Sequence, residues 1–154
     1  MSDTNAAAQM QPQFNIEKLY VKDLSVEVPH APAIFLEREA PRIDLQLNTQ
    51  HSVVNEGVFD VAVSAIVTAK LKDKVVFMIE AQQCGIFSVR NVPQQEMEMI
   101  LEVVCPNIIY PYLRDLVSDS SLRAGFSPAL LNPVDFAALH AQKQQAQAEA
   151  PVTH

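Results

Sequence analysis

The chain of 154 residues has three glycines, two cysteines, no tryptophan, four histidines and no run of basic residues. So few glycines cannot build a glycine-rich phosphate loop. Cys84 and Cys105 stand too far apart to suggest a zinc site, and they read as small apolar packing residues of a reducing compartment. His30, His51, His140 and His154 fall in expected loops, on a helix side and at the terminus. That placement supports no metal cluster, and the chain shows no nucleophile with its base and no carboxylate pair, so neither catalysis nor a cofactor is expected. The formal charge of −7 disfavours nucleic acid and anionic membranes and invites a basic partner. No stretch approaches the roughly eighteen apolar residues of a membrane span, and the first thirteen residues lack the charged start and apolar core of a secretory signal. The expectation is a soluble, cytoplasmic protein without membrane insertion.

What the chain does have is a globular composition, 49% apolar and 19% charged over 17.1 kDa, enough for one domain with its own core. Residues 1–13 carry no periodicity and are expected to form a flexible arm. From Phe14 to Val28 the residues Phe14, Ile16, Tyr20, Leu24, Val26 and Val28 alternate with Glu17, Asp23, Ser25 and Glu27, the pattern of a long strand with one wet face. Leu19 and Val21 break it, which suggests a bulge or a buried edge. A second strand alternates through Ile43, Leu45 and Leu47. After a turn at Asn55-Glu56-Gly57, a third places Phe59, Val61, Val63, Ala65, Val67, Ala69 and Leu71 on one face. Lys72-Asp73-Lys74 turns into a fourth with Val75, Phe77, Ile79 and Ala81 on one face and Val76, Met78, Glu80 and Gln82 on the other, until Gly85 interrupts it.

Glu96 to Val117 is too apolar for an ordinary surface helix and is expected to be buried on more than one side. Pro106 and Pro111 inside it imply a kink or a break, because proline lacks the N–H and its ring meets the preceding turn. Pro93 suits its first turn. Gly125 and Pro128 mark a loop, and Asn132-Pro133 reads as the cap and first residue of a second helix that frays beyond Ala141 into a tail. The predicted fold is α+β: a four-stranded antiparallel sheet with a long kinked helix and a second, shorter helix on one face. Apolar residues on the far side of the long helix predict a homo-oligomer with closed symmetry, a dimer or a dimer of dimers.

Two features are left for function. Glu17, Asp23, Glu27, Asp44, Asp60 and Glu80 share the wet phases of their strands, either as an ordinary solvated face or as a docking patch for a basic partner. Ile34, Phe35 and Leu36 in a proline-flanked loop, Phe77, Ile109, Tyr110, Phe136 and Leu139 are surplus apolar groups that either complete the core or line a groove suited to unfolded chain.

Cys105-Pro106-Asn107-Ile108-Ile109-Tyr110-Pro111-Tyr112 resembles the signature of the SecB family of bacterial protein-export chaperones. Tyr20 to Ser25, Gln82 to Phe87 and Asn132 to Phe136 resemble the same family in the same order. The resemblance covers residues 14–142, flanked by the arm and by a tail over 143–154. It implies an ATP-independent holdase that binds unfolded secretory precursors, assembles as a homotetramer and delivers its clients to the motor ATPase SecA. The family's docking positions correspond to Asp23, Glu27, Met78 and Glu80; the groove would draw on Ile34, Phe35, Leu36, Phe77, Ile109, Tyr110, Phe136 and Leu139. Cys84 departs from a usual glycine or other small residue, and Glu39 from a common aromatic. The alternative from another class is an acyl-ligand binder or hot-dog-like thioesterase, which needs a carboxylate or histidine aimed at a pocket, and none stands at a convincing position in the sequence.

Overall fold

The structure is a computed structural model that describes residues 11–149. Most of the predicted arm and the end of the predicted tail lie outside the described residues. Four strands, β1 (Gln13–Glu27), β2 (Arg42–Asn55), β3 (Val58–Leu71) and β4 (Lys74–Arg90), form one antiparallel sheet in the order β1-β4-β3-β2. Gly57 at φ +70° and Lys72 at φ 57° take the left-handed conformation that the tight turns before and after β3 require. The two central strands are β3 and β4, whose alternating Val, Ile, Ala and Phe side chains supply the inner face. Val61, Val63, Ala65, Val67 and Ala69 of β3 pack with Phe77, Ile79, Ala81, Phe87 and Val89 of β4, all buried.

The long helix lies across these two strands and closes the core with Leu101, Ile109, Leu113 and Val117. It runs without a break over residues 94–123, in an α-helical part Gln94–Met99, a π-helical turn Ile100–Val104 and an α-helical part Cys105–Arg123. The N–H of Cys105 donates to the carbonyl of Ile100, five residues back. The two prolines therefore do not break the helix; a widened turn stands immediately before Pro106, where its ring would otherwise crowd the turn behind it.

Four local expectations are corrected. In β1 the irregularity suggested by Leu19 and Val21 is a pair of bulges: the pairing slips between Ile16 and Lys18 and again between Val21 and Asp23, which reverses the facing of the residues between them and overturns the inward placement of Tyr20. Tyr20 consequently points to the outer face, opposite Cys84, while Leu19 and Val21 turn inward. A further slip opposite Ala69 and Lys70 buries Val76, placed on the wet phase by simple alternation. Gly85 does not interrupt β4; it is needed there because a Cβ would stand 2.7 Å from the ring of Phe87. The last helix starts at Phe136, not Pro133, and continues to Glu149, past Ala141. Its cap is Asp135, whose Oδ1 accepts the N–H of Ala138 at 3.1 Å.

Candidate functional site

The groove candidates fall into two cavities and the core, apart from the exposed Leu36. The first cavity, about 510 Å³, is lined by Ile34, Phe35, Phe77 and Phe126, with Val76 and Leu130. Its wall depends on how the long helix ends. Ala124 closes the helix, Gly125 takes φ +97°, its N–H donates to the carbonyl of Leu122 at 3.0 Å, and that of Phe126 donates to Ser121 at 3.1 Å. This pair of bonds is a Schellman motif, and glycine suits the left-handed position at its centre. The chain is thereby turned so that Phe126 stacks on Phe35 at 5.2 Å and on Phe77 at 4.9 Å between ring centroids. Ser121, buried, holds the segment beyond by accepting the N–H of Ala129 at 2.8 Å. On the other wall, the connection between β1 and β2 forms a short 3-10 turn, Ala33–Leu36, in which Ile34 is buried and Phe35 is 48% exposed.

The second cavity, about 270 Å³, lies between β2 and the last helix and is lined by Leu47, Phe136, Leu139 and His140 with Glu102 of the long helix. Phe136 is held edge-on by Tyr110 at 5.6 Å, and the Tyr110 hydroxyl donates to the carbonyl of Asn132 at 2.5 Å. Of the eight groove candidates, Ile34, Phe35 and Phe77 share the first cavity, and Phe136 and Leu139 share the second. Ile109 and Tyr110 belong to the core, and Leu36, 83% exposed, lines neither. Phe126, Leu47 and Glu102 were missed; only Phe126 had a signal, an apolar residue directly after a helix-ending glycine.

Asp23, Glu27, Met78 and Glu80 all stand on the outer face of the β1–β4 pair. Glu27 is opposite Met78, Ser25 opposite Glu80 and Asp23 opposite Gln82, so the side chains form one continuous patch. The three acids are exposed and Met78 is half-buried. Beside Glu80 on β3 stands Ile66, 38% exposed, which adds an apolar centre to an acidic rim. Farther along the face, the Tyr20 hydroxyl donates to Asp60 at 2.6 Å. That bond raises the Tyr20 pKa above the ordinary tyrosine value, with burial adding to it, because ionised tyrosine could not donate and would face a carboxylate.

The family profile described as "Preprotein translocase subunit SecB" matches residues 7–147. The chain belongs to the SecB family. It is 54% identical to the protein-export protein SecB of Methylobacillus flagellatus over 97% of this chain and 96% of that relative. With the SecB of Thiobacillus denitrificans the identity is 56%, over 94% and 97%. Among solved structures, a SecB-like chaperone of Mycobacterium tuberculosis in complex with an antitoxin peptide superposes with a TM-score of 0.64 at 17% identity, over 85% of this chain and 95% of that one. The SecB fold is thus shared well beyond the reach of sequence identity. No helix among the described residues is long and apolar enough to cross a membrane.

Proposed function

We propose that this SecB-family chain is a cytoplasmic, ATP-independent holdase that binds unfolded secretory precursors and passes them to SecA. The observation that carries the reading is the solvent-open aromatic cavity of Phe35, Phe77 and Phe126. Stacked aromatic rings offer area without directional demands, which suits many unrelated apolar segments. The peptide held by the Mycobacterium tuberculosis neighbour is in keeping with such a role. Affinity for unfolded over native chain is enough to hold a client, so no nucleotide is required.

The acidic patch of Asp23, Glu27 and Glu80 around Met78 is the proposed SecA-docking surface. It faces away from both cavities' sheet side, so a client and the motor can be bound together. A homotetramer, a dimer of dimers, fits the apolar side chains that a single subunit leaves uncovered. On the inner face of β1 these are Ile16, Val21, Leu24 and Val26, and on the long helix Met99, Val104, Tyr112 and Leu122. Burying eight such groups contributes on the order of 12–24 kcal/mol at about 1.5–3 kcal/mol each, against an association cost of roughly 4–15 kcal/mol. Several cavities on one assembly would hold a long client by effective concentration. The whole-chain similarity to export proteins favours this reading over a thioesterase.

The test is calorimetric titration with one secretory precursor, native and unfolded, in nucleotide-free buffer. Binding of the unfolded form alone, with a negative heat-capacity change, is expected, and Phe35→Asp should weaken it. Binding of neither form would refute the holdase reading.

A further inference from the structure

Beside the second cavity, side chains from three elements converge: His51 from β2, Glu98 and Glu102 from the long helix, and His140 from the last helix. Ligand atoms of Glu98, Glu102 and His140 all lie within 4.8 Å of one another. One oxygen of Glu102 contacts Nδ1 of His140, and the other stands 3.6 Å from Nε2 of His51. His140 is only 6% exposed, so its imidazole is held in place by the packing around it. Among the described residues no lysine or arginine forms an ion pair with either glutamate, although they lie one turn apart and repel each other. The widened turn at Ile100–Val104 carries Glu102, and π-helical turns recur at functional sites.

We propose that Glu98, Glu102, His140 and His51 form a binding site for a divalent metal ion of the zinc class. Two imidazoles with two carboxylates suit zinc and its borderline neighbours, whereas calcium and magnesium prefer oxygen alone. Tetrahedral zinc at about 2.0–2.2 Å sets ligand atoms about 3.3 Å apart. The 3.6 Å between His51 and Glu102 approaches that spacing, and rotation of the part-exposed His51 and Glu102 and the exposed Glu98 side chains would bring the remaining donors toward the buried His140. The dication removes the repulsion between the glutamates and ties the last helix to β2 and to the long helix. This site does not rest on the holdase reading, although Glu102 and His140 also line the second cavity.

The experiment uses the untagged full-length chain, stripped with chelator and titrated with Co²⁺ as the spectroscopic probe, then with Zn²⁺ as competitor. One Co²⁺ per chain is expected, with visible d–d bands of a four- or five-coordinate ion that Zn²⁺ displaces. His140→Ala should abolish the bands. Glu98→Gln, Glu102→Gln and His51→Ala should each weaken binding by more than about tenfold, the loss caused by removing even a group that merely supports a ligand. Glu98 is exposed, so its substitution leaves the fold intact and the test decisive if His140→Ala does not fold. Zn²⁺ should also slow amide exchange in the last helix. Absence of the bands, or bands that survive the Glu98, Glu102 and His140 substitutions and so mark an ion bound elsewhere, overturns the proposal.

Discussion

On its inner face β4 presents Phe77, Ile79, Ala81, Phe87 and Val89 to the core, and every one is buried; on its outer face Glu80 is exposed and Met78 half-buried, yet Cys84 on that same face is fully buried. The inner side chains are covered by another layer of structure. Cys84 is covered from within its own face, where Tyr20 stands opposite it and Ala62 beside it. One strand thus serves a core and a wet surface together, with Tyr20 as a local lid at one end and the acidic patch at the other. Burial on the two faces has different origins, and the two should respond differently to substitution.

The largest effect is expected on the inner face. Phe87→Ala should cost about 3–5 kcal/mol of stability by urea unfolding, through lost apolar burial and the cavity left behind. A loss as small as that of a surface change would mean that the helix does not seal this face. Next, Gly85→Ala should cost about 1–3 kcal/mol, since the new Cβ would stand 2.7 Å from the Phe87 ring and 3.0 Å from Leu19; the double variant with Phe87→Leu should recover part of that loss.

On the outer face, Tyr20→Phe should cost about 1.5 kcal/mol at neutral pH, because the hydroxyl donates to a carboxylate. Alkaline pH sharpens the contrast further. Burial pushes the Cys105 thiol from an ordinary 9.0 up to about 12, and Tyr20 is raised as well, chiefly by its bond to Asp60. Both groups hold their protons more tightly when folded than when unfolded. Their stabilisation is fully present below the unfolded pKa and is lost as pH rises from about 9 toward the folded values. Equilibrium unfolding followed from pH 8 to 11 should show falling stability, and Cys105→Ala should flatten the slope; an unaltered slope would place the pH response elsewhere.

The smallest effect is expected in the acidic patch. Asp23→Lys and Glu80→Lys should change stability by no more than about 0.5 kcal/mol, while weakening binding to SecA and leaving unfolded-precursor binding unchanged. Equal loss of both activities would break the separation of the two surfaces.

Much of this was legible in the residues. Strict alternation in β3 and in most of β4 is enough to sort inner from outer side chains, because the period of a strand is two and one face meets the core. The same parity put Glu27, Met78 and Glu80 on the outer face, where the structure has them. Parity failed where bulges intervene: Tyr20 and Val76 lie on the face opposite to simple alternation; the apolar Leu19 and Val21 signal the irregularity in β1 without locating its two bulges, and nothing near Val76 announces an inserted residue. Gly85 looked like an interruption because a glycine that ends a strand and one that makes room for a ring read alike.

The amino-acid sequence by itself determined the antiparallel sheet, the long helix, the family and the acidic outer face, because each rests on local periodicity or on contiguous motifs. Only the tertiary structure decided which apolar residues are core and which are surface. Ile109 and Tyr110 lie under the sheet and the last helix, while Phe126 joins Phe35 and Phe77 across a loop set by one positive-φ glycine. It alone brings His51 and His140 to Glu102. Such meetings depend on how separate elements pack, and spacing along the chain carries no trace of them.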